Sequence, residues 1–375
     1  MIQRKISEHI KNDFFKGKII VMSGARQVGK TTLFEEMMRE REDVLRLNCD
    51  DYDDRIELEN RSTTELRQLI GEHTMVVIDE AQRVKNIGLT LKMMADLHTP
   101  AQIVATGSSS LQLADEISEA ATGRCFEYHL YPFSIGEMVS HTTAREEKRL
   151  LEQRLIYGMY PDVVTHPADA RRILSNLANN YLYRDLLEYR GVKKPDLLQR
   201  LVRALALQVG SEVSYNELSN LLGVDKETVA SYIDLLEKCF VVFQLTSYSN
   251  NLRTEIKKGK KIYFYDNGIR NALISNFAPL ELRNDTGALW ENFVISERLK
   301  QNAYNQREAQ MYFWRTTEQQ EVDLIELYDG EMTAFEMKWR KPKAKLPAAF
   351  SKRYPEARFQ VVNSENYIEF LNQNQ

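Results

Sequence analysis

The residues Gly24-Ala-Arg-Gln-Val-Gly-Lys-Thr31 satisfy the pattern G-x-x-x-x-G-K-[ST] without a mismatch. They follow an apolar run, Lys18 to Ser23, and open the helical stretch TTLFEEMMRE. A strand running through a glycine loop into a helix is the context this pattern requires. Glycines let backbone N–H groups approach a phosphate, and the helix N-terminus adds positive potential there. In such a loop Gly24, Ala25, Arg26, Gln27, Val28, Gly29 and Thr32 serve through the backbone, and Lys30 reaches the β- and γ-phosphates. The Thr31 hydroxyl would ligate Mg²⁺. The expectation is an ATP site with Mg²⁺ as its metal and ATP/ADP as the exchanging ligands. A chance glycine loop is the rival reading, and the flanking strand and helix weigh against it.

A second run, Met75-Val-Val-Ile-Asp79-Glu80, reads as an apolar strand ending in two acids. Asp79 would hold Mg²⁺ through water, and Glu80 is placed to polarise an attacking water. The bland alternative is a buried strand with solvated acids at its end. Another predicted strand, Val44 to Asn48, lies between these motifs in sequence. That matches P-loop ATPases with a strand inserted between the two motif-bearing strands, and it argues against a small-molecule kinase. A third run, Gln102 to Thr106, leads into Gly107-Ser108-Ser109. Thr106, Ser108 or Ser109 could sense the γ-phosphate, or the serines could instead cap the helix that follows.

Composition sets limits on the rest. The chain has 375 residues, which suits two or three domains, with 43% hydrophobic and 28% charged residues. A formal net charge of −4 does not fit a bulk nucleic-acid binder, though a local basic patch is compatible with it. The three cysteines (Cys49, Cys125, Cys239) and six histidines are scattered, without metal-ligand spacing. No stretch approaches the length of a membrane helix, and the polar start lacks a signal-peptide core. The expectation is a cytoplasmic protein with no membrane partner.

Three regions differ in pattern. Residues 1–193 alternate short strands with helical stretches, implying an α/β fold with a parallel sheet covered by helices on both faces and a helical appendage. Residues 194–265 read as two helices joined by a turn at Gly223, then a strand and a hairpin turning at Lys258-Gly259, a winged-helix pattern. Its second helix, DKETVASYIDLLEKC, is acidic, whereas Arg253, Lys257, Lys258, Lys260 and Lys261 form a basic cluster. That cluster could grip a DNA backbone, or it could simply be a solvated hairpin. Residues 266–375 read as α+β, with strands meeting at the Asp329-Gly330 turn.

At this point a resemblance is specific. The blocks GARQVGKTTL, VVIDEAQ, ATGSSS, TGRCFEYHLYPFS, YGMYPDVV, YLYRDL, TGALWENFV, YFWRT, EVDLI and FEMKW span nearly the whole chain. It resembles AAA+ ATPases that carry a DUF4143 C-terminal region. The resemblance implies an ATPase whose site is often completed by an arginine from a neighbouring subunit, hence a homo-oligomer. Arg124 and Arg184 are the positions it suggests, with a structural ion pair as the alternative for each. Asp323, with Glu336 and Lys338 beyond it, resembles the Asp and E-x-K elements of a PD-(D/E)xK, restriction-endonuclease-like fold. Glu336 and Lys338 are two apart on a strand and so share a face. An Asp323–Glu336 pair could bind a second Mg²⁺ with Lys338 assisting, and Glu291 on the preceding helix could add a carboxylate. Such folds also serve as plain binding modules. Two functions therefore stand side by side: an ATPase acting on DNA, with or without metal-dependent cleavage, and a nucleotide-dependent switch with a protein partner.

Overall fold

The computed structural model describes residues 2–107, 123–181, 195–249, 259–341 and 343–372. Ser108, Ser109, Arg184, Arg253, Lys257 and Lys258 lie outside them, as does the helix expected after Ser109. Two compact units emerge. Among the described residues, one comprises those of Gln3–Tyr131 and Lys238–Phe240, and the other those of Pro132–Glu237 and Val241–Gln375 with Ile2. These units divide the chain at different points from the sequence boundaries at 193 and 265. The helices between residues 135 and 176 group with the C-terminal portion.

The first unit is built on five strands: β1 (Ile19–Ser23), β2 (Val44–Asn48), β3 (Met75–Asp79), β4 (Gln102–Gly107) and β5 (Cys125–His129). All are parallel, in the order β2-β3-β4-β1-β5. β1 and β4 are buried along their whole length, as continuous apolar strands covered on both faces must be. On one face Ile19, Val21, Ile78, Ile103 and Ala105 pack with Leu66 and Ile70 of the helix Thr63–Ile70 and with Leu91 and Met94 of the helix Ile87–Asp96. This is an α/β sheet of the P-loop NTPase type. The strand that separates β1 from β3 in space is β4. β2, which separates their motifs in sequence, lies at the sheet edge.

The second unit carries seven strands: β6 (Glu212–Val213), β7 (Val242–Ser247), β8 (Lys260–Phe264), β9 (Gln310–Arg315), β10 (Glu321–Tyr328), β11 (Glu331–Met337) and β12 (Arg358–Val362). They form one sheet in the order β12-β11-β10-β9-β7-β8-β6. The parallel pairing of β7 with β9 fuses the second and third sequence regions into a single sheet. Before β7 stand the helices Tyr215–Leu222 and Lys226–Lys238. Ser214 caps the first by accepting from the Glu217 N–H, and Asp225 caps the second by accepting from the Thr228 N–H at 2.6 Å. Gly223, at φ 69°, makes the turn between them. The 19-residue helix Thr286–Tyr304 buries Leu289, Trp290, Phe293 and Val294 in the main core of this unit. It is buried around much of its circumference, and this explains its lack of a clean polar face.

Candidate active site

The phosphate loop sits between the carboxyl end of β1 and the helix Lys30–Met37. Gly24 is required by space: a Cβ there would collide with the carbonyl oxygen of Leu130, just past β5. Gly29 is required by backbone conformation, since its φ of 94° is one that side-chain-bearing residues avoid. Gln27 also has positive φ, at 60°. Ala25 and Val28 are buried, anchoring the loop to the sheet. Lys30 is only 6% exposed, and its ammonium donates to the carbonyls of Gly24 and Ala25, 2.9 Å from each. Its charge is thus fixed over the loop.

Asp79, at the end of β3, is where three parts of the motif set meet. The Thr31 hydroxyl donates to Asp79 Oδ2 at 2.8 Å. The Thr106 hydroxyl donates to the other carboxylate oxygen, and the Glu80 N–H also reaches that oxygen, at 3.0 Å. Thr106 comes from β4, which lies between β1 and β3. Of the three candidates, Thr106 contacts Asp79, and Ser108 and Ser109 lie outside the described residues. Glu80 adopts the left-handed conformation, φ 51°, and its carboxylate accepts from the Gln82 amide. A non-glycine residue held in that region is strained, and such strain concentrates at functional positions. The set suits ATP with Mg²⁺: a glycine cradle that Cβ atoms would fill, a fixed lysine, and a hydroxyl beside a carboxylate. Thr31 and Asp79 are the residues that would hold the metal.

Arg124 stands elsewhere. β1 and β5 run parallel with Ile19 opposite Cys125 and Ser23 opposite His129. Arg124 therefore lies at the opposite end of the sheet from the phosphate loop, roughly 20 Å away along the strand. It pairs with Asp96 at 2.7 Å and is 40% exposed. It takes no part in its own chain's phosphate site. Sequence reading also missed Arg4, which is buried and donates to the Val28 carbonyl of the loop at 2.8 Å and to the Tyr131 carbonyl. Nothing local in the sequence marks it, because its partners lie 24 and 127 residues further along the chain.

In the second unit, β10 and β11 are antiparallel, with Leu324 opposite Phe335, so Asp323 and Glu336 are brought side by side. Asp323 accepts from the Met337 N–H at 2.7 Å. Burial, followed by the charges of Glu291 and Glu336, pushes its carboxyl up to about 8. Lys338 pairs with Glu336. Among the described residues, the carboxylates that converge within 4.8 Å of one another are Glu291, Glu321 and Asp323. Glu321 was not anticipated from the sequence.

Lys261 requires a correction. Expected on an exposed basic hairpin, it is instead 1% exposed on β8. Its ammonium lies 2.9 Å from Glu291 Oε1 and also contacts Glu321. Burial opposes its charge, but Glu291 and Glu321 outweigh burial and hold the lysine well above its usual range. The Tyr263 hydroxyl donates to Glu291 at 2.6 Å. The strand alternation that would have sent Lys261 inward is visible in KKIYF only once its partner strand is known.

Residues 16–139 match the model of an AAA domain, residues 148–280 that of the domain of unknown function DUF8612, and residues 286–375 that of DUF4143. An uncharacterized protein of Mycobacterium tuberculosis is 27% identical over 341 residues, covering 90% of this chain and 74% of that one. One from Haemophilus influenzae is 26% identical over 286 residues, 70% of each chain. The Walker-type ATPase of Pyrococcus abyssi shares the fold at a TM-score of 0.50 and 15% identity, over 73% of this chain and 96% of that one. No described helix is long and apolar enough to cross a membrane. The chain thus resembles AAA-type P-loop ATPases with a DUF4143 C-terminal region, matching an AAA domain over residues 16–139 and DUF4143 over residues 286–375.

Proposed function

We propose that this protein hydrolyses ATP with Mg²⁺ at the loop Gly24–Thr31 and couples the nucleotide cycle to DNA through its second unit. The observation that carries the first half is Asp79, gripped by Thr31 from the loop and Thr106 from β4, with Glu80 next in line. Mg²⁺ bound there would supply neutralising charge to the β- and γ-phosphates. Lys30 and the loop amides bind and orient the triphosphate. Thr106 links the end of β4 to the carboxylate, so a change at the γ-phosphate reaches that strand. Glu80 accepts a proton from the attacking water as the new P–O bond to the γ-phosphorus forms and the bond to the bridging oxygen breaks, releasing ADP and phosphate.

Two features support a role on DNA. The capped helix pair with the antiparallel strands β7 and β8 is compatible with a winged helix. Asp323 and Glu336 are neighbours across β10 and β11, with Lys338 paired to Glu336 and Glu291 beside Asp323, an arrangement compatible with a PD-(D/E)xK site in which Asp323 and Glu336 would hold a second Mg²⁺. One observation favours the other reading, a switch with a protein partner. Lys261 is withdrawn from the basic cluster and already neutralises two of the acids. The deciding experiment measures ATP turnover with Mg²⁺, with and without single- and double-stranded DNA, while the DNA is watched for cleavage. Stimulation by DNA, or cutting lost in Asp323→Ala, supports the DNA reading. Turnover indifferent to DNA, with the DNA left intact, removes it and leaves the protein-partner switch. An arginine supplied across subunits, from Arg124 or Arg184, predicts specific activity that rises with protein concentration.

A further inference from the structure

We infer that Arg4 is a positioning residue for the triphosphate: it fixes the orientation of the Gly29 amide without touching the nucleotide. The inference rests on the ATP site proposed above and adds a residue that lies outside the phosphate motif.

Arg4 precedes the helix Ile6–Asp13 and is 6% exposed, so its guanidinium is committed to the protein interior. One terminal nitrogen donates to Val28 O at 2.8 Å, and the other donates to Tyr131 O. Val28 is itself wholly buried. The carbonyl of Val28 and the N–H of Gly29 belong to one peptide unit. That unit is planar, and no cis peptide occurs among the described residues, so C=O and N–H point in opposite directions. A donor that holds the Val28 oxygen on one side therefore holds the Gly29 N–H on the other, facing the loop's concave side where phosphate binds.

This peptide needs such a hold. Gln27 at φ 60° and Gly29 at φ 94° bracket it, and glycine passes readily between positive and negative φ. Without a partner for the Val28 carbonyl, rotation about the bonds flanking the peptide would turn the Gly29 N–H away from the phosphate. Arg4 supplies two further effects. Its bond is charge-assisted, and a donor on the carbonyl polarises the peptide, strengthening the N–H as a donor. Its second anchor, Tyr131 O, lies next to Leu130, whose N–H donates to Ser23 O and whose carbonyl lies against Gly24. The far end of the loop is thereby referenced to the same segment that fixes its beginning.

The Gly29 N–H would contact phosphate equally in the ground state and the transition state. Losing its alignment removes uniform binding, which raises KM and leaves kcat nearly unchanged. A merely structural role predicts the reverse: a lower melting temperature and a lower active fraction at unaltered KM.

The experiment compares full-length wild type, Arg4→Met, Arg4→Lys and Lys30→Ala, measuring melting temperature and the KM and kcat for Mg-ATP. Arg4→Met is expected to raise KM about tenfold, the effect of losing one charge-assisted hydrogen bond, with kcat within about threefold. Arg4→Lys keeps the charge but cannot span both carbonyls, so its KM should fall between the two. If Arg4→Met fails to fold, Arg4→Lys alone must show the raised KM. Unchanged KM in both folded variants, or a fall in kcat alone, overturns the inference while a dead Lys30→Ala leaves the ATP site standing. Full turnover in Lys30→Ala would instead overturn the ATP-site reading itself.

Discussion

Replacing Lys261 with methionine tests the electrostatics of the second unit most sharply. Methionine has a similar length and volume, so the change removes a charge without opening a cavity. In the wild type the ammonium is sealed from solvent between Glu291, at 2.9 Å, and Glu321. Asp323 and Glu336 crowd the same space. Removing one partner of a buried ion pair leaves an uncompensated charge and costs about 3–5 kcal/mol. For a unit of this size that corresponds to a fall in melting temperature of roughly 6–20 °C. Circular dichroism melts at pH 7 read the effect directly. Adding Glu291→Gln to Lys261→Met should recover at least about 1 kcal/mol, since the two residues share an interaction. A loss under about 1 kcal/mol for Lys261→Met would refute the buried-cation account. It would return Lys261 to the exposed basic cluster, where substitution is nearly neutral.

Other outcomes are expected from single sites. Gly24→Ala places a methyl group against the Leu130 carbonyl, so it should destabilise the first unit by about 1–3 kcal/mol and raise KM for ATP; unchanged melting and kinetics would contradict the close approach. Thr106→Val removes a hydroxyl that holds Asp79 and should slow ATP turnover while ATP still binds; wild-type turnover would detach Thr106 from the site. Asp285 accepts from Arg283 at 2.8 Å and from Arg270, and although burial pushes its carboxyl up, these arginines hold it down at about 2. Its folded value lies below the ordinary one of 3.8, so it stabilises the fold above about pH 4, and that contribution fades as pH falls toward 2. Asp285→Asn should therefore be less stable than wild type at pH 7, with the gap closing below pH 4; a gap independent of pH would exclude the ion pairs as its source.

Local signals carried far in the first unit. The loop Gly24–Thr31, the strand ending at Asp79 and the strand Gln102–Gly107 were legible because each pairs a short apolar run with chemistry at its end, and a parallel sheet gathers those ends on one edge. Two details were not legible. Which strand lies between β1 and β3 depends on crossovers that no local pattern encodes. Arg4 reaches the loop only through tertiary placement. In the second unit the strands were legible one by one, yet their union into one sheet hangs on the β7–β9 pairing, a contact between residues far apart in sequence. Lys261 shows the consequence. Among KKGKK it reads as one lysine of a solvated run, and only the convergence of Glu291 from a helix and Glu321 from a strand turns it into a buried cation.

The central claim, hydrolysis of Mg-ATP at the loop Gly24–Thr31, is tested most directly by ATP binding and turnover in Glu80→Gln beside Lys30→Ala. The account predicts that Glu80→Gln binds ATP as tightly as wild type but turns it over about 10²- to 10⁴-fold more slowly, and that Lys30→Ala neither retains nor hydrolyses it. Turnover in both variants equal to that of wild type would contradict it.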